Sequence, residues 1–509
     1  MEQFDLIIIG SGAGGSTLGY ALADSGKKIL IIERGHYLPR EKENWEPREV
    51  FLENRYHTKE LWYDDQGRPF TPGMNYYVGG NTKVYGAALL RLREKDFDEL
   101  EHYGGISPAW PVKYKDFQPW YLKAETLYQV HGKRKEDPTE PPESAPYPYD
   151  PISHEPYIQN LADQMKAQKL HPFHLPLGLM LNEKDRAHSA CIRCDTCDGF
   201  PCLVNAKADA QTVCLDIALR SKNVTLLTGA KALQLIADDA GKKIIEVEVL
   251  HDGKKERYRA DTFVVSCGAI NSAALLLRSK HPKHPRGLAN RSDQVGRNYM
   301  FHTNSVMIAV STHKNPTKYQ KTLAINDFYF NAPDSALPLG HIQLLGNVKK
   351  EMLKEEAPRF APDFALDYLA EHSVGWWLTT EDLPSPDNRI VLNQNGDIAI
   401  HYKANNEEAH KRLLEKLKEI LKTTDGHQHL FPNQTYLSQQ IPIAGCAHQA
   451  GTLRFGTNPD TSVLDLGCKA HELDNLYVVD SSFFPAIGAV NPTLTIIANA
   501  LRVAKALRS

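Results

Sequence analysis

Gly10, Gly12 and Gly15 form the pattern G-x-G-x-x-G directly after the apolar run Leu6-Ile7-Ile8-Ile9 and at the head of a stretch with helical spacing. Their missing side chains let backbone approach a pyrophosphate, whose charge is met by free N–H groups and the positive end of a helix. Glu33 follows 23 positions after Gly10, where a carboxylate can accept hydrogen bonds from both hydroxyls of a ribose. It would repel a 2′-phosphate, which disfavours NADP. The glycines do not separate FAD from NAD, but their place at the extreme N-terminus, with glycine-rich segments far downstream, tilts the reading towards FAD.

A second chemical cluster is Cys191, Cys194, Cys197 and Cys202, spaced C-x2-C-x2-C-x4-C with Pro201 before the last. One loop with this spacing can wrap thiolates around a metal, and its first three positions match the opening of a bacterial ferredoxin motif. An iron–sulfur cluster that relays electrons, a zinc ion, and free thiols or a local disulfide are the three readings. Cys214, Cys267, Cys446 and Cys468 are dispersed and read as small core residues.

These groups need elements to hold them. Residues 5 to 35 read as strand, glycine turn, helix and strand, a βαβ unit. Strands are expected again at Val224–Leu227, Ile245–Leu250 and Thr262–Ser266, the last running into Cys267-Gly268-Ala269 and a helix from Asn271 to Ser279. A charged helix is expected around Asn406–Leu421, a strand at Leu476–Asp480 and a helix from Thr493 to Leu507. The proline-rich stretch from about Glu136 to Pro156 cannot continue a helix or a central strand and reads as an exposed connection.

At 509 residues the chain is long enough for two large domains and a buried cofactor. Its 42% hydrophobic and 24% charged residues are those of a globular enzyme, and eight cysteines do not make a disulfide scaffold. The 59 basic against 62 acidic residues give a net charge of −3, too weak a field to draw the protein to nucleic acid or anionic lipid. The run after Met1 lacks the flanks and length of a signal peptide, and no apolar segment is long enough to span a membrane, so a cytoplasmic location is expected.

Four further segments carry a resemblance from end to end. Gly79-Gly80-Asn81-Thr82-Lys83-Val84-Tyr85-Gly86, Gly268-Ala269-Ile270-Asn271-Ser272, Val295-Gly296-Arg297-Asn298 and Asp480-Ser481-Ser482-Phe483-Phe484-Pro485 resemble, in that order, the signatures of the glucose-methanol-choline oxidoreductases. The resemblance implies an α/β fold, with a Rossmann-like FAD-binding domain and a second, sheet-based (α+β) substrate-binding domain of the p-hydroxybenzoate hydroxylase type. The expected division gives residues 1–112, 185–302 and 441–509 to the FAD-binding domain, and 113–184 and 303–440 to the substrate-binding domain with its connecting arm.

The same resemblance implies the site. His448, in His448-Gln449-Ala450-Gly451-Thr452, matches the family's catalytic histidine, and Asn491 matches its partner position, 43 residues on. His448 is expected to take a hydroxyl proton, Asn491 to hydrogen-bond the same oxygen, and hydride to pass from carbon to flavin N5. Because Asn491 precedes Pro492, capping the following helix is a competing role. Gly10, Gly12, Ala13, Gly14, Gly15, Glu33, Arg34, Gly79, Gly80, Asn81, Thr82, Tyr85, Ala230, Cys267, Gly268, Asp480, Asn491, Pro492 and Thr493 are expected to contact FAD. Val84 stands where covalently flavinylated members have histidine, which implies non-covalent FAD, and Tyr85 replaces a common asparagine. Thr452 and Arg454 read as structural supports.

The segment Ala109-Trp110-Pro111-Val112 with Tyr114, together with the His/Asn pair, looks like the pyranose-oxidising branch, so a sugar or glycoside is the expected substrate. Trp376 and Trp377 could stack on a sugar ring or serve the core. An aliphatic, aromatic or sterol alcohol, a hydroxynitrile-lyase-like activity without net redox change, and a redox relay are the alternatives. The electron acceptor is expected to be oxygen or a redox carrier.

Overall fold

The computed structural model describes residues 3–142, 145–357, 361–424, 436–440, 442, 444–445 and 448–508, so Cys446 lies outside the described residues. The N-terminal apolar runs pair as a parallel sheet. Gln3–Ile9 lies between Ile29–Ile32 and Lys254–Val265, Val224–Leu227 lies beyond Ile29–Ile32, and Leu476–Val478 pairs with the end of Lys254–Val265. Two antiparallel strands, Ile244–His251 and Ala230–Ala237, extend the sheet to seven. Ile29–Ile32 is buried along its whole length, the pattern of a strand covered on both faces. Helices Ala13–Leu22 and Thr493–Leu507 pack on each other and share the main core with the sheet.

Register decides where the chemistry goes. Ile9 pairs with both Ile32 and Val265, so Gly10, Glu33 and Ser266-Cys267-Gly268 leave the sheet side by side at its carboxyl edge. Val478 pairs with Val265 and brings Asp480 to the same edge. Ligands bind at this edge in open α/β sheets.

A second sheet of six strands runs Tyr436–Gln440, Thr303–Val310, Ser373–Thr380, His341–Leu344, Leu323–Ile325 and Phe173–His174, all antiparallel. Helices Glu407–Lys422 and Pro156–Ala167 bury their apolar stripes in a separate core against it. Neighbouring residues on a strand face opposite ways. Trp376 is therefore fully buried in this core while Trp377 faces the cavity described below, so Trp376 serves the core.

Two elements differ from expectation. The strand ending at Val265 begins at Lys254, eight residues before the apolar run, because Lys255, Arg257 and Arg259 pair across the strand with Glu246 and Glu248. Cross-strand charge pairs stabilise a strand that has no apolar signature. The proline-rich stretch is stitched down rather than exposed throughout. Asp137 forms a buried ion pair with Arg93 at 2.8 Å, Tyr147 lies under the Arg134 guanidinium at 3.6 Å, and Ile152 is buried. Among the described residues, no helix is long and apolar enough to cross a membrane.

Candidate active site

A cavity of about 480 Å³ runs along the carboxyl edge of the parallel sheet and under the six-stranded sheet. Gly10, Gly12, Ala13, Gly14, Glu33, Arg34, Gly80, Asn81, Thr82, Tyr85, Ala230, Cys267, Gly268, Asp480, Asn491, Pro492 and Thr493 all line it, as does His448. Of the residues expected to contact a dinucleotide, Gly15 and Gly79 are not on its wall but shape the turns behind it. Cys191, Cys194, Cys197 and Cys202 lie off it.

The glycine turn is closed by backbone. A Cβ on Gly10, whose φ is +105°, would sit 2.1 Å from the Ser266 carbonyl oxygen, and one on Gly14 would sit 1.8 Å from that of Val479. Side chains here would push the helix off the sheet. Gly12 and Gly268 have open space where a Cβ would go, so backbone there is free for a ligand to approach. Ser11 ties the nucleotide loops together: its hydroxyl donates to Glu33 Oε2 at 2.6 Å and accepts from the Gly79 N–H at 3.2 Å. Glu33 also accepts from the Ser11 and Gly35 N–H groups at 3.0 and 2.8 Å. Burial nonetheless raises its pKa. Arg34 stacks on Tyr76 at 3.7 Å and pairs with Glu60 at 3.2 Å.

Asp480 caps the short helix Ser481–Phe483, accepting from the Ser482 N–H at 2.9 Å, and accepts from the Gly268 N–H at 3.0 Å. It thus locks two loops at the cavity wall. Burial raises its pKa, and burial with the nearby Asp480 and Glu33 carboxylates pushes the Cys267 thiol up to about 12. Thr82 donates to the Gly79 carbonyl at 2.6 Å and accepts from the Ala210 N–H at 3.0 Å. The Tyr85 hydroxyl is spent on the Ala208 carbonyl at 2.6 Å. Thr452 ties the turn after Gln449–Ala450 to the Ala269 carbonyl at 2.6 Å, which is a support role.

At the other end, His448 Nε2 lies 3.5 Å from Asn491 Nδ2, and His448 Nδ1 lies 3.0 Å from His302 Nδ1. The protons follow by elimination. His302 Nε2 is 3.0 Å from the Gly488 carbonyl, which can only accept, so Nε2 carries the hydrogen. Burial and the neighbouring His448 hold His302 well below the usual histidine range, so it is neutral and its Nδ1 is a lone pair. His448 must then donate from Nδ1, which leaves its Nε2 lone pair facing Asn491 and the cavity. Burial and the Lys321 ammonium lower His448 to about 4, opposed by Asp198, so this imidazole is a neutral base at physiological pH. Asn491 makes no capping bond to the helix Thr493–Leu507. Its Oδ1 is buried with no partner among the described residues, as expected of a side chain aimed at a ligand.

His302, four residues after Asn298, carries no recognisable motif of its own in the sequence. Lys321, Gln343 and Asp198 are likewise hidden, since nothing in their local sequence marks them as cavity residues. Gln343 and Trp377 are direct cross-strand neighbours that both line the cavity, and the Trp377 ring lies 6.0 Å from that of His448. Trp110, by contrast, packs among Phe97, Phe483 and Phe484 at 4.9 to 5.6 Å, in the core.

None of the four clustered cysteines takes part in a disulfide. Among the described residues, no three His, Cys, Asp or Glu side chains gather into a group that could hold a metal ion. Burial pushes Cys191 up to about 11 and Cys197 up to about 12. What organises the loop is Lys207, almost wholly buried, whose ammonium donates to the Cys197 and Phe200 carbonyls at 2.7 and 2.9 Å. The loop thereby delivers Asp198 to the cavity wall.

Known proteins resemble this chain along nearly its whole length. Residues 4–304 and 384–500 match two family models, both described as GMC oxidoreductase. The chain is 31% identical to paromamine 6'-oxidase of Streptomyces fradiae, over 99% of this chain and 91% of that protein. It is 24% identical to the fructose dehydrogenase large subunit of Gluconobacter japonicus, over 99% of this chain and 97% of that one. Among solved structures, pyridoxine 4-oxidase from Mesorbium loti has a TM-score of 0.66 at 19% identity, and formate oxidase of Aspergillus oryzae, described for modification of its FAD, has 0.69 at 16%. Each covers 99% of this chain and is itself 98% covered. The mixed α/β architecture is thus the FAD-binding fold of these enzymes, and the chain belongs to the GMC oxidoreductases.

Proposed function

We propose that this enzyme oxidises a CH–OH group of a sugar or glycoside, with FAD held non-covalently in the cavity. The observation that carries the reading is the convergence of the His448 lone pair and the Asn491 amide on one point, backed by His302. The Gly10–Gly15 turn with its helix end suits the pyrophosphate, Glu33 the ribose hydroxyls, and the loop from Gly79 to Gly86 the ring system. Val84 offers no nucleophile for a covalent bond to the flavin. When bound, FAD supplies the two-electron acceptor for the hydrogen leaving carbon.

The protein's own share is proton management and orientation. His448 Nε2 accepts the substrate hydroxyl proton, and the Asn491 N–H donates to the same oxygen as negative charge develops there. His302 acts as a positioning residue. By accepting from His448 Nδ1–H it fixes both the tautomer and the plane of the base. The aromatic face of Trp377 and the polar Gln343 beside it suit a hydroxylated ring, and relatives named for paromamine and fructose point the same way. Oxygen or a redox carrier would serve as the final electron acceptor.

The test is anaerobic mixing of the holoenzyme with a panel of sugars, glycosides and simple alcohols while the flavin band is watched. Sugars are expected to bleach it, and His448→Ala is expected to abolish bleaching while FAD stays bound. A flavin that stays oxidised with every compound would refute the proposal.

A further inference from the structure

The Lys321–Asp198 ion pair takes no part in the steps above, yet it lines the same cavity as His448 and Trp377. Lys321 Nζ lies 2.7 Å from Asp198 Oδ2, which also accepts the Gly346 N–H at 3.1 Å. The two side chains are only 6% and 16% exposed. A buried ion pair loses to desolvation much of what it gains by attraction, and apolar residues of similar volume often stabilise a fold as well. Stability alone is therefore a weak reason for charges at this place.

Three separate segments make room for the pair. A Cβ on Gly86 would lie 1.9 Å from Lys321 Nζ and 2.2 Å from Asp198 Oδ1, and one on Gly346 would lie 2.7 Å from the Asp198 Cβ. Lys207 folds the cysteine-bearing loop that carries Asp198 inward. Among the described residues, Asp198 Oδ1 has no hydrogen-bond partner, and the Lys321 ammonium has none beyond Asp198. The pair thus presents spare acceptor and donor capacity, side by side, beside the base.

We infer that Lys321 and Asp198 form a substrate-binding subsite that takes two neighbouring hydroxyls of a neutral sugar ring, one donating to Asp198 and the other accepting from Lys321. This rests on the sugar-oxidising reading above and specifies it further. A hydroxyl both donates and accepts, so a vicinal diol satisfies a donor and an acceptor set next to each other. A substrate ammonium would satisfy only Asp198 and would be repelled by Lys321. An alcohol with a single hydroxyl spends it on His448 and Asn491 and leaves the ion pair desolvated and unanswered.

The experiment compares the holoenzyme with the charge-free double variant Asp198→Asn/Lys321→Met, because removing one charge alone strands the other and endangers folding. FAD content and a thermal melt establish that the variant is folded. Flavin reduction is then followed anaerobically with methyl glucoside, paromamine and benzyl alcohol. The expected result is a KM for methyl glucoside raised at least tenfold with kcat changed far less, so that the ratio of kcat/KM between methyl glucoside and benzyl alcohol falls at least tenfold. Equal losses on all three substrates would make the pair structural and overturn the inference. A loss confined to paromamine would overturn it in favour of an ammonium site. If the parent enzyme reduces its flavin with neither sugar, the functional reading itself fails and takes this inference with it; that failure is distinguishable because it appears before any substitution is made.

Discussion

The chain of hydrogen bonds from Gly488 through His302 to His448 gives a controlled perturbation. His302→Leu and His302→Asn both lose the bond to the Gly488 carbonyl and both shorten the side chain, but only asparagine keeps an acceptor towards His448. The asparagine carboxamide oxygen falls where His302 Nδ1 now accepts from His448, 3.0 Å away, whereas leucine offers nothing. In the leucine variant the buried His448 Nδ1–H is left unpaired or the ring turns to find another partner, at a cost of about 1–3 kcal/mol. Charged against the productive orientation of the base, that cost slows the chemical step by about 5- to 150-fold. The assay is anaerobic stopped-flow reduction of the bound flavin under saturating substrate, which isolates the step from acceptor chemistry. Substrate affinity should change little, because His302 does not reach the cavity wall. Equal rates for His302→Leu and His302→Asn would refute the relay, whichever direction both moved.

Three other outcomes are expected. With His448 held near 4, protonation removes the lone pair only as pH falls through about 4, so the flavin-reduction rate should stay flat from neutral pH down to about 5.5; an acid limb with an apparent pKa above 6 would contradict the burial argument. Gly10→Ala drives a methyl group into the Ser266 carbonyl and should leave the purified protein with less than about a tenth of its flavin; a normal ratio of flavin to protein absorbance would show that the turn can yield. Lys207→Met strands the Cys197 and Phe200 carbonyls, each at about 1–3 kcal/mol, and should lower the melting temperature and weaken sugar binding together; an unchanged melt would deny that Lys207 holds the loop.

Much of the parallel sheet was legible because its strands are continuous apolar runs and its turns carry glycine, both local signals. The helix Thr493–Leu507 appears where its periodicity put it. What escaped was set by partners far along the chain. The first half of Lys254–Val265 has alternating charges that make sense only opposite Glu246 and Glu248. Asp137 and Tyr147 are buried because Arg93 and Arg134 reach them, which no proline count reveals. The same holds at the site. His448 and Asn491 sit in recognisable segments, but His302 becomes meaningful only beside His448, and Asp198 only beside Lys321. Trp376 and Trp377 are adjacent in sequence, and only the pleat tells them apart.

The pairing of Phe263–Val265 with Leu476–Val478 joins segments more than two hundred residues apart, and Asn491 comes later still. During synthesis, then, the dinucleotide turn emerges long before the strand that completes its sheet and the amide that faces His448. Such long-range closure makes folding slow and leaves apolar edges waiting for partners. A growing chain should accordingly gain no flavin affinity until the helix Thr493–Leu507 is out, and early supply of the cofactor to cells would be expected to raise yield by capturing the finished fold rather than by guiding its formation.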